Sequence, residues 1–113
     1  EEWPGVEFAP LNCDQMVPAV GQAAIAVQCR ADDAAKFEAI FDHATMRAVT
    51  VERAFQTALG GGCHTAFAAH ATADTLYLFH ETTGMRAVPL SAADYADPIG
   101  MAARVLKQLG LLP

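Results

Sequence analysis

Residues 50–90 read TVERAFQTALGGGCHTAFAAHATADTLYLFHETTGMRAVPL, and a change of hydrophobic period inside this stretch decides the fold. Val51, Ala54, Phe55, Ala58 and Leu59 recur at i, i+3, i+4, i+7 and i+8, which is one face of a helix. Gly60-Gly61-Gly62 then stops it, because three glycines in a row do not sustain helical backbone. Beyond them the period shortens to two. His64–Ala71 and Thr75–Glu81 flank the turn Thr72-Ala73-Asp74, and Met85–Leu90 follows Thr82-Thr83-Gly84, so three short strands are expected.

Upstream, Asp32 or Asp33 is placed to cap a helix whose apolar residues are Phe37, Ile40 and Phe41, broken at Asp42-His43. Downstream, Asp97 is a cap and Pro98 a first helical residue. Ile99, Ala102, Leu106 and Leu109 form the stripe of that last helix, and Gly110 ends it. The expected order is helix-helix-strand-strand-strand-helix: an α+β fold in which a three-stranded antiparallel meander sheet is backed by helices.

The N-terminal part follows different rules. Residues 1–16 carry Pro4, Gly5, Pro10 and Asn12 and are expected to be irregular. Val17–Cys29 (VPAVGQAAIAVQC) holds the unbroken apolar run Ala23–Val27, the pattern of a strand buried on both faces. Nothing else in the chain offers it a parallel neighbour, so its sheet is expected outside this chain. The division expected is 1–30, lead-in and strand segment, and 31–113, a separate domain.

The whole chain has 113 residues, enough for one core. Its 53% hydrophobic and 18% charged residues exclude a disordered chain. No apolar run approaches the roughly 20 residues of a membrane span. The net charge of −6 comes from 13 acidic and 7 basic residues, and the cations Arg30, Lys36, Arg47, Arg53, Arg86, Arg104 and Lys107 are scattered. That distribution argues against nucleic acid and membrane surfaces as partners, and against a polyanion cleft built by this chain alone. Cys13, Cys29 and Cys63, odd in number and without a CxxC pair, fit a reducing compartment, and Glu1-Glu2 stands where a secretory leader would be basic. A cytoplasmic protein is expected.

Cys63 is the leading candidate for chemistry. It follows the glycines at a helix-to-strand junction, where a sharply turning backbone leaves a thiol accessible for covalent attachment. The same spacing also suits an inert cysteine at a strand start. Cys29 lies on the apolar run and suits packing; Cys13 has no context. His64, His70 and His80 are expected on one sheet face, with Cys63 on the other. Ligand spacings such as CxxC or HxxxH are absent, so no metal is expected. Glu52-Arg53 is an ordinary solvated helix pair, or else Arg53 grips a ligand carboxylate near the thiol.

Three blocks give the sequence a resemblance to the C-terminal third of the porphobilinogen deaminases, or hydroxymethylbilane synthases. Val17-Pro18-Ala19-Val20-Gly21-Gln22, leading into Ala24-Ile25-Ala26-Val27-Gln28-Cys29-Arg30 and Asp32-Asp33, resembles the family's LPAVGQGA…ECR…DD. Thr50-Val51-Glu52-Arg53-Ala54-Phe55 is similar to its ERAF helix, and Gly61-Gly62-Cys63 to its GGC loop. The resemblance implies a transferase of porphyrin and heme biosynthesis that joins four porphobilinogen units and releases ammonia. It implies a dipyrromethane cofactor held by a thioether to Cys63, with Gly62, Gln22, Ala23, Arg53 and Arg30 at the cofactor. It also implies that the catalytic residues and the porphobilinogen site lie in preceding domains, which would be partners of this chain. The strand at residues 17–29 would then belong to the sheet of a preceding domain, and residues 31–113 would be the cofactor-attachment domain. The chain alone is expected to be inactive. Three positions depart from the family: Ala23 replaces a glycine, Gly60 a glutamate, and His64-Thr65-Ala66-Phe67 stands where QVPI is frequent. Those departures leave room for a second reading, a diverged freestanding domain that binds a partner protein or small ligand.

Overall fold

Asp42 opens the central helix. Its side chain accepts from the Ala44 N–H at 3.1 Å, meeting one of the orphan donors of the first turn, and from the Thr45 hydroxyl at 2.6 Å. The computed structural model describes residues 3–60 and 65–113. In it, α1 spans Ala34–Phe37 between two 3-10 turns, and α2 spans His43–Ala58. β1 (Phe67–Ala71), β2 (Thr75–His80) and β3 (Gly84–Pro89) follow, then α3 (Ala92–Ala96) and α4 (Pro98–Gln108). The strands form an antiparallel meander in the order β1-β2-β3, with Ala69 opposite Leu78 and Leu78 opposite Arg86. The α+β architecture expected from the sequence is the one observed.

Alternation along the strands decides which face is covered. Ala69, Ala71, Leu76 and Leu78 point to one face and are buried, with Val51 and Phe55 of α2 and Met101, Ala102, Val105 and Leu106 of α4. Burying a Leu- or Phe-sized side chain is worth about 1.5–3 kcal/mol, so this cluster is the main stabilising element of the chain. α4 is closed at both ends. Asp97 accepts from Gly100 N–H at 2.9 Å, and Gly110 (φ +71°) lets Leu111 N–H return to the Leu106 carbonyl at 2.9 Å.

Several expectations change. The first helix is a single α-turn between 3-10 turns, because the Asp33 carboxylate pairs with Arg30 at 3.0 Å and Lys36 at 2.6 Å and caps no N–H. So short a helix gains little from propagation, and Ile40 stays 75% exposed. Ile99 is not part of the buried stripe of α4, whose packing begins at Met101; Ile99 is 78% exposed. α3 was not foreseen. Its capping box, Ser91 with Asp94, has both reciprocal hydrogen bonds. The Tyr95 hydroxyl on this helix donates to the Thr72 carbonyl, and the Arg47 guanidinium lies 5.7 Å from its ring centre.

The apolar strand expected within residues 17–29 is not formed. Residues 20–23 turn, and residues 24–30 make no ladder. A strand exists through its partner, and none is present for these residues: Ile25 is 92% and Val27 59% exposed. His70 and His80 do not share a face either. His70 pairs with Tyr77 and His80 with Phe67, which places them on opposite sides of the sheet. His64 and Cys63, the other members of that expectation, lie outside the described residues.

Candidate functional site

Two consecutive turns shape the segment that carries Gln22 and Ala23. Gln22 N–H donates to the Ala19 carbonyl at 2.9 Å, and Ala24 N–H to the Gly21 carbonyl at 3.1 Å. Gly21 (φ +71°) and Ala23 (φ +68°) both take left-handed backbone, which glycine adopts freely and alanine does not. The Gln22 side chain is turned back on its own loop, its Oε1 accepting from Ala19 N–H at 2.9 Å. Val20 packs against the core, so the turns are seated on the helix–sheet unit by one apolar side chain.

The polar anchor is Glu52. Sequence reading placed it on a solvated helix face, yet it is 3% exposed. Glu52 Oε2 accepts from Gly21 N–H at 2.7 Å. Oε1 accepts from Ala71 N–H at 2.9 Å and lies 3.3 Å from His70 Nδ1. Ala71 belongs to β1, an edge strand whose outward N–H has no strand partner. The signal was present in the helical spacing: Glu52 sits three residues before Phe55 and beside Val51, on the stripe that faces the core.

Between the turn segment and α2 runs a groove of about 500 Å³. Ala23, Ile25 and Val27 form one wall, Phe41, Met46 and Val49 the other, and Arg53 reaches its lining. Among the described residues Arg53 makes no ion pair, so its guanidinium is open to an anionic group. The structure thus brings together Ala23 and Arg53 of the expected set. Gln22 does not line the groove, and Arg30 is bound instead to Asp33 at 3.0 Å with its own side chain 89% exposed. Gly62 and Cys63 lie outside the described residues. Cys13 and Cys29 are free thiols. No helix among the described residues is long and apolar enough to cross a membrane.

Residues 46–82 match the family model described as porphobilinogen deaminase, C-terminal domain. A porphobilinogen deaminase of Burkholderia thailandensis is 37% identical over 113 aligned positions, covering 89% of this chain and 34% of that protein. That of Trichlorobacter lovleyi is 45% identical over 73 positions, covering 60% of the chain and 23% of the relative. That of Sphingopyxis alaskensis is 51% identical over 59 positions, or 50% and 19%. The chain therefore spans about a third or less of the curated relatives it matches. No solved structure gives a significant match.

Proposed function

Since this chain is homologous to the C-terminal part of porphobilinogen deaminases, we propose that it forms the cofactor-carrying portion of such an enzyme. The activity of the whole protein is then the joining of four porphobilinogen units into hydroxymethylbilane with release of ammonia, a transferase step in tetrapyrrole biosynthesis. The observation that carries the reading is the groove in which Ala23, from the first family block, faces Arg53, from the second. Two sequence blocks about 30 residues apart converge on one surface, beside the helix that leads into Gly61-Gly62-Cys63.

The residues present suit a dipyrromethane in size and in lining. Small-molecule sites range from about 300 to 1,000 Å³ with mainly apolar walls, as here. The Cys63 thiol would anchor the group by a thioether, Gly62 would let the backbone approach it, and Gln22 and Ala23 would border it. Arg53 would hold a carboxylate bidentately, and Arg30 would do so after exchanging Asp33 for it. When bound, the dipyrromethane supplies the tethered pyrrole carbon to which successive units are joined. The remaining cations for a polycarboxylate ligand would come from the preceding domains of the same enzyme, where substrate and catalytic residues also belong. This chain, at net charge −6, does not supply them. A cytoplasmic enzyme is part of this reading.

The test is an intact mass of the native product isolated from its own cells, alongside Cys63→Ser in the same protein. We expect an added mass of two linked pyrroles in the parent and none in the variant, with turnover lost. An unmodified parent, or a Cys63→Ser protein that keeps adduct and turnover, would overturn the assignment.

A further inference from the structure

We infer that Glu52 is a positioning residue, the carboxylate that fixes the Gly21–Ala23 turn to the helix–sheet unit. Among the described residues, the Gly21 N–H to Glu52 Oε2 bond of 2.7 Å is the sole hydrogen bond joining residues 3–29 to anything beyond residue 33. The same carboxylate holds the edge of β1 through Ala71 N–H at 2.9 Å. Both its oxygens are therefore committed, one to each side of a junction between two parts of the chain. An ionised carboxylate accepts on both oxygens, and hydrogen bonds from backbone N–H to it are about twice as strong as neutral ones.

The geometry assigns more than an edge cap. Capping β1 alone would need one oxygen, whereas the second reaches a turn that holds left-handed backbone at Gly21 and Ala23 and has little else to fix it. Glu52 precedes Arg53 by one residue, so the contact that seats the turn also sets its distance from the guanidinium in the groove. Glutamine cannot replace it. Its amide accepts on one oxygen only and turns an N–H₂ toward the other donor, so either Gly21 or Ala71 must be released.

Amide hydrogen exchange and carboxyl carbon NMR on the full chain test this. In the parent, deuterating the Gly21 and Ala71 amides should produce two isotope shifts on the Glu52 carboxyl carbon. In Glu52→Ala, which removes both acceptor oxygens, the Gly21 amide should exchange at least about tenfold faster, while the Leu106 amide in α4 keeps its rate. A Gly21 rate within twofold of the parent in Glu52→Ala would overturn the inference. So would a parent whose Glu52 carbon senses Ala71 but not Gly21, a measurement that stands even if the variant fails to fold. The bearing of this contact on the cofactor rests on the function proposed above. The two fail separately: an unmodified parent mass removes the function, and an unaffected Gly21 removes the positioning role.

Discussion

Ala23 holds a backbone conformation (φ +68°) that its side chain opposes. For an L-residue other than glycine this region costs roughly 1–2 kcal/mol. Ala23→Gly should relieve that cost, less the roughly 0.4–1 kcal/mol that glycine's extra freedom adds to the unfolded chain. A net gain of about 0.5 kcal/mol in urea denaturation is expected; a loss would show that the turn relaxes in solution. The same residue scale explains which part of the site could be read from sequence. Arg53 and Ala23 were named by their motifs, and both line the groove. Glu52 was passed over because a charged residue beside an arginine on a helix is ordinarily solvated. Only the burial of the stripe containing Val51 and Phe55 shows that it faces inward.

Among the elements, those announced by local backbone chemistry were legible and those made by partners were not. The glycines after Leu59, the turn at Thr72-Ala73-Asp74 and the Asp97-Pro98 start all lie within a residue or two of the observed boundaries. The strand expected at residues 17–29, with its sheet outside this chain, forms no ladder within it, because a ladder depends on another strand. α3 went unseen although Ser91-Ala92-Ala93-Asp94 is a capping-box sequence. That box carries a pH dependence. The Ser91 hydroxyl, then Arg104, then the Ser91 N–H hold the Asp94 carboxyl below its ordinary 3.8. A carboxyl lowered in the folded state stabilises fully above its unfolded value and loses that contribution as pH falls through the folded one. Stability should therefore decline below about pH 4, and Asp94→Asn should flatten that decline in acid titrations of the unfolding midpoint. α4 offers a second test. A β-carbon on Gly100 would overlap the Asp97 carboxylate that caps the helix. Gly100→Ala, which helix propensity alone would make stabilising by up to about 1 kcal/mol, should here give no gain, since it displaces a cap worth about the same. In an Asp97→Ala background the same substitution should stabilise. Additive effects in the double-mutant cycle would refute the clash.

At the scale of the molecule, the radius of gyration is 16.2 Å, against about 13 Å for a compact domain of this length. Residues 3–30 contain no helix or strand, leave Phe8 75% and Ile25 92% exposed, and meet the helix–sheet unit through Val20 and the Glu52 contact. The helix–sheet unit needs little from them, since ten of its eleven core side chains come from α2, the strands β1 and β2 and α4, and the eleventh, Leu90, follows β3. If residues 31–113 are a domain and residues 17–29 a strand of a preceding one, the two parts should differ in stability by context. Limited proteolysis of the 113-residue chain should cut within residues 3–29 well before it cuts within β1–α4, because local opening there breaks few contacts. Deleting residues 1–16 should shift the stability of the remainder by no more than about 0.5 kcal/mol. In a longer protein carrying the preceding domains, the bonds within residues 24–29 should resist the same protease, because a paired, buried strand no longer opens locally. Equal cleavage of that segment with and without those domains would remove the proposed strand and leave residues 17–29 as a surface arm of this domain.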